Sequence, residues 1–160
     1  MNAKTLEIQQ FLQLSVKLTA FSEFQLQGTG QLEEYYDAVY QIVGEKNMIQ
    51  LLTTFDKIQD DTGSDEAAFD KQFRAKVLSD EKLGPITRSI IKLWFVGTWY
   101  QLPKSWNDTF GLLENDKTYV ISPSAYKEGL LWPTIGSHPM GAKAPGYGTW
   151  SAPPEIPAID

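Results

Sequence analysis

The chain has 160 residues, is 42% hydrophobic, carries a formal net charge of −6 and contains no cysteine. That size suits one domain with a sizeable core, read here as residues 1–160 divided into a helical part to about residue 100 and an irregular part beyond it. The acidic balance argues against nucleic acid, whose non-specific affinity comes from Lys and Arg on phosphates, and against anionic membrane surfaces. Without cysteine there is no disulfide, thiolate nucleophile or Cys-ligated metal. No apolar run reaches the roughly 18 residues of a membrane span, so a direct span is not expected. Residues 1–10 match neither a Sec nor a twin-arginine export signal.

Of nine prolines only Pro85 precedes residue 100. Proline breaks helix interiors and pushes its predecessor toward extended geometry, so only the first part can be continuously helical. Phe11, Leu14, Leu18 and Phe21 recur at steps of three and four and predict a first helix over about 5–20. After Gly28-Thr29-Gly30, the run Leu32, Tyr35, Tyr36, Val39, Tyr40 and Val43 predicts a second, stopped by Gly44 in the left-handed conformation. Asn47 is expected to cap a third helix carrying Met48, Leu51, Leu52, Phe55 and Ile58, interrupted by the polar run 60–65. Ser64 or Asp65 then caps a fourth, with Phe69, Phe73, Val77 and Leu78 on its apolar side. Gly84-Pro85 places proline at a first helical position, and Ile86 to Phe95 run on to Gly97 as a fifth helix, apolar nearly all round and so expected at the centre.

The fold class expected is therefore all-α: a compact bundle of about five helices with a long, irregular C-terminal extension rich in Pro, Gly and Trp. Within the extension, residues 118–121 read as a short strand and 123–131 as two helical turns with Tyr126 and Leu130 inward. Residues 133–160 read as ordered coil or disorder. Trp132, Tyr147, Trp150 and Ile156 are too apolar to leave in water, which favours packing on the bundle or on a partner.

Few side chains suggest chemistry, and no catalytic, cofactor-binding or metal-ligating residue is assigned. His138 is the only histidine, so a two-histidine metal site cannot be assembled, and a catalytic role would need an acid close in space. The run 60–66 is rich in oxygen ligands but fails the twelve-residue calcium-loop frame, and reads as a solvated loop. Gly28-Thr29-Gly30 and Gly146-Tyr147-Gly148 follow no strand and complete no phosphate-binding pattern. Glu33, Glu34 and Asp37 read as a solvated helix face.

The density of rings in the later chain, from Trp94 to Trp150, exceeds what core packing in five modest helices calls for. Rings on irregular segments are typical interface anchors. The candidate partner surface is Trp99, Tyr100, Trp106, Trp132, Tyr147 and Trp150. A stand-alone sugar-binding or protein-interaction module built on exposed Trp and Tyr is the alternative reading.

Four segments then carry a family resemblance. Phe11 to Phe21 (FLQLSVKLTAF) resembles the F-L-x-L-S-x-x-L-T-x-F start of the small subunit of bacterial membrane-associated FAD-dependent sorbitol and sugar dehydrogenases. Ile90 to Gly97 (IIKLWFVG) is similar to that family's I-x-x-x-W-Y-x-G helix, Tyr126 to Trp132 to its A-L-x-W segment, and Gly148 to Pro154 to its W-x-x-P ending. The four occur in the family's order along nearly the whole chain. The resemblance implies a non-catalytic accessory subunit with no cofactor of its own, on the periplasmic side of the cell envelope. It also implies a partner: a large subunit that holds FAD, often with a cytochrome c subunit. In that family the small subunit aids maturation, export and stability of the large one. Many relatives open with a twin-arginine signal and carry a tail cysteine available for a covalent link. The residues here have neither, so contact with the large subunit is expected to be noncovalent, and a cytoplasmic location is the alternative.

Overall fold

The structure, a computed structural model, describes residues 3–144, 146–149 and 151; Trp150 and residues 152–160, Ile156 among them, lie outside the described residues. It is mostly helical. In chain order run α1 (Ala3–Thr19), α2 (Glu23–Gly28), α3 (Leu32–Val43), α4 (Glu45–Thr62) and α5 (Glu66–Phe73), which continues into a π-helical turn (Arg74–Leu78). Then follow α6 (Leu83–Val96), β1 (Thr98–Trp99), α7 (Lys104–Phe110), β2 (Tyr119–Val120), α8 (Pro123–Glu128) and α9 (Leu131–Thr134).

The apolar stripes read from the sequence become the core. Phe11, Leu12 and Leu14 of α1, Tyr35 and Val39 of α3, and Leu51, Phe55 and Ile58 of α4 are all buried. Helix α6 packs against α1, α3, the π-helical turn, β1 and α9, as its nearly all-round apolar character requires. Trp94 is its anchor. The ring stands edge-on to Tyr35 at 4.9 Å between centroids, and its indole N–H donates to Ser15 Oγ at 2.9 Å. The polar tip of a buried indole thereby finds its partner.

Several helix ends differ from the sequence reading. Gly44 does not stop α3 in the left-handed helical conformation: with φ 79° and ψ 157° it turns the corner in one residue, and α4 begins at Glu45. Asn47 is therefore already inside α4, where its amide donates to Val43 O at 2.7 Å and satisfies an end carbonyl of α3 instead. The polar run 60–65 does interrupt the helical pattern, α4 continuing to Thr62 and stopping at Gly63 with φ 53°. Of the two proposed caps for α5, Asp65 serves, its carboxylate accepting from Ala68 N at 2.9 Å. Helix α6 starts before Pro85, because Asp80 Oδ1 accepts from the amides of Lys82 and Leu83 at 2.9 and 2.7 Å.

Two further helices went unpredicted. Ser22 and Gln25 form a reciprocal capping box that starts α2. Helix α7 begins straight after Pro103 and places Trp106 and Phe110 one turn apart, ring centroids 5.3 Å from each other.

Beyond residue 97 the chain folds back over α6. Strands β1 and β2 pair antiparallel, with Trp99 opposite Tyr119. Gly97 ends α6, as the sequence reading placed it, in the left-handed conformation at φ 66°, and it lies so close to α8 that a Cβ there would sit 2.4 Å from the Ala125 carbonyl. Leu130 N then donates to Trp94 O at 3.0 Å, which docks the start of α9 on α6.

Candidate functional site

The aromatic residues chosen from the sequence separate into core and surface. Trp99 is fully buried and its indole N–H donates to Asp116 Oδ1 at 2.9 Å; the same carboxylate accepts from Leu102 N at 3.0 and 3.2 Å. Trp106 is also buried, its indole N–H donating to Lys82 O at 2.8 Å. Presenting either ring to a partner would forfeit about 2–3 kcal/mol of burial and orphan a hydrogen-bond donor. Trp99 and Trp106 are thus core residues, contrary to the expectation that they line an interface. The reason is that residues 98–134 enclose interior of their own against α6, space a five-helix bundle alone would not offer.

Tyr100, Trp132 and Tyr147 stay accessible. Tyr100 is partly exposed, with the Lys92 ammonium 5.1 Å from its ring centroid. Trp132 is partly buried, held edge-on to Tyr126 at 5.6 Å and by an indole hydrogen bond of 2.8 Å to Tyr126 O. Tyr147 is 72% exposed. Trp150 lies outside the described residues.

Trp132 lines a groove of about 410 Å³, in the size range of ligand and segment-binding clefts. One wall is Phe21 and the α2 residues Gln25 and Gly28, running on to Thr29; the other is the end of α8 with Trp132, Ser137, His138 and Lys143. An ion pair between Lys143 and Glu128, at 2.7 Å, braces the second wall. Next in sequence to lining residues, or two or three positions away, stand Phe24, Ile135, Met140 and Tyr147, all well exposed.

Backbone strain marks the same place. Among the described residues the non-glycines with positive φ are Ala20 at 61° and Lys143 at 56°. The first precedes Phe21 on one wall and the second is part of the other. Each costs on the order of 1 kcal/mol, and such conformations gather at functional sites.

His138 Nδ1 faces its neighbour's carbonyl, Pro139 O, at 3.3 Å, and no carboxylate is hydrogen-bonded to the ring among the described residues. Among the described residues no cluster of three or more His, Asp or Glu side chains is placed to hold a metal ion, and no helix is long and apolar enough to cross a membrane. Glu33, Glu34 and Asp37 do not form an acid pair: Glu34 accepts from Ser122 Oγ at 2.9 Å and Asp37 from Lys4 at 2.8 Å.

No family model matches the chain, and it matches no curated protein and no solved structure.

A second cleft, of about 540 Å³, lies between the end of the π-helical turn, the start of α6 and α7. Sequence reasoning missed it, as it missed Phe24. In the latter case a signal existed: once Ser22 and Gln25 define α2 and Leu26 points inward, a residue two places earlier lies about 200° round the helix and faces solvent.

Proposed function

We propose that this chain is a non-catalytic accessory subunit that stabilises, and aids the maturation or export of, a large FAD-dependent sugar or polyol dehydrogenase subunit. The observation that carries the reading is the convergence of the resembling segments on one packing network. Ser15 of the first accepts the indole hydrogen bond of Trp94 in the second. Phe21 of the first meets Phe95 of the second edge-on at 6.1 Å. Leu130 of the third is bonded to Trp94 O, and Gly97 lies against Ala125, the residue just before the third. Residues far apart in sequence that resemble one family, and that also depend on each other physically, make a chance likeness of short apolar strings a poorer account. The fourth segment, 148–154, lies largely outside the described residues.

The exposed rings support an interface. Tyr147 and Phe24 at 72% and 85% exposure leave apolar surface that association would remove from water. In this reading FAD and the catalytic groups belong to the partner, the complex works on the periplasmic side, and a cytochrome c subunit accepts the electrons.

The test is co-expression of the large flavin-containing subunit with and without this chain. Soluble, flavin-loaded dehydrogenase should accumulate only with it. Equal yields in both cultures would end the proposal.

A further inference from the structure

We propose that the groove between α2 and the residues following α8 seats an extended segment of the partner that is apolar and bears a carboxylate, with Lys127 as its ion-pair partner. The inference rests on the accessory-subunit reading and adds to it the place and chemistry of contact.

Charge is the first argument. The chain carries −6 in all, yet the charged residues lining the groove are Lys127, Lys143 and Glu128. Glu128 is neutralised by Lys143 at 2.7 Å. Lys127 is left exposed and without an ion pair among the described residues, so the groove is a locally cationic spot on an acidic molecule. Such a spot steers and orients an acidic group.

The second argument is apolar exposure nearby in the chain. Phe24, Tyr147, Ile135 and Met140, each within three residues of a lining residue, are 85%, 72%, 59% and 53% exposed. An acid flanked by apolar residues complements both features, the apolar side chains supplying burial and the carboxylate the register. A second copy of the chain fits poorly, because two molecules of −6 repel.

A zero-length carbodiimide cross-linker joins a Lys ammonium only to a carboxylate already in contact with it. The experiment applies it to the complex of this full chain with the flavin-containing dehydrogenase, followed by peptide mass spectrometry. The expected product is Lys127 linked to an Asp or Glu of the flavoprotein, and Lys127→Glu should lower the retained flavoprotein at least tenfold while Lys46→Glu, exposed on α4, leaves it unchanged. Linkage of Lys127 only to Glu155 or Asp160 of this chain, or to a second copy, overturns the inference. So does a complex that forms with Lys127 unlinked and K127E retained normally, which would leave the accessory-subunit reading standing. A wild-type chain that retains no flavoprotein overturns both.

Discussion

Asp116 and Tyr35 show what individual buried polar groups do in this fold. Asp116 is 2% exposed and accepts from Trp99 and Leu102, pinning β1 and the turn into α7 to the loop before β2. Hydrogen bonds to a charged acceptor contribute about 1.5–3 kcal/mol each, and removing the acceptor strands two buried donors. Asp116→Ala should therefore cost about 3 kcal/mol in urea unfolding, with Asp116→Asn intermediate because one oxygen remains. Tyr35 is the opposite case. Its hydroxyl is buried and makes no hydrogen bond among the described residues; burial, with Glu34 and Glu128 adding to it, pushes its pKa well above the usual value. The folded state then keeps a proton that the unfolded chain releases above about pH 10, so this contribution to stability is complete below pH 10 and lost as pH rises beyond it. Tyr35→Phe should be as stable as wild type or up to about 1 kcal/mol better at neutral pH, and should lose less stability between about pH 9 and pH 11 by circular dichroism. Tyr36, raised by burial and by its bond to Glu7, keeps part of the alkaline slope.

Elements are held in place by backbone contacts as much as by apolar burial. At Gly97 positive φ and the 2.4 Å approach of the Ala125 carbonyl act together, whereas Gly63, at φ 53°, has open space where a Cβ would stand, with no neighbour within 4 Å. Gly63→Ala should cost about 1 kcal/mol from conformation alone. Gly97→Ala should cost at least about 2 kcal/mol more, because the backbone it meets must move, and should loosen α8, read as faster amide exchange at Leu130. The same contrast explains what was legible in the sequence. The long helices announced themselves through the 3.6-residue recurrence of Phe11 and Leu14, Tyr35 and Val39, or Leu51 and Phe55, because burial of one face leaves a periodic record. Gly97 and Asp65 were legible because each stop or cap is a local event. Helix α7 was not, since so short a segment gives Trp106 and Phe110 only one repeat. The burial of Trp99 was hidden as well: it depends on Asp116, and nothing local says that a carboxylate so far along the chain will accept the indole N–H. The groove was only half visible, through Trp132, because its other wall comes from α2, far earlier in the chain.

At the scale of the molecule, one interior is built from both halves of the chain, and large apolar side chains close in sequence to the groove lining remain exposed. Phe11 and Leu14 of the first half and Trp99, Trp106 and Leu130 of the second share a contiguous hydrophobic core. Tyr147, Phe24, Ile135 and Met140 take no part in it. These exposed apolar side chains remain available for association on a molecule of acidic net charge. The central claim, that this chain serves a flavoprotein, is tested most directly by size-exclusion chromatography of the affinity-purified chain from its native host, followed by protein and flavin absorbance together. The account predicts a single peak, larger than the chain alone, in which flavin and this chain co-elute in constant ratio. Elution of the chain at its own size, free of flavin, under conditions that keep other complexes intact, would contradict it.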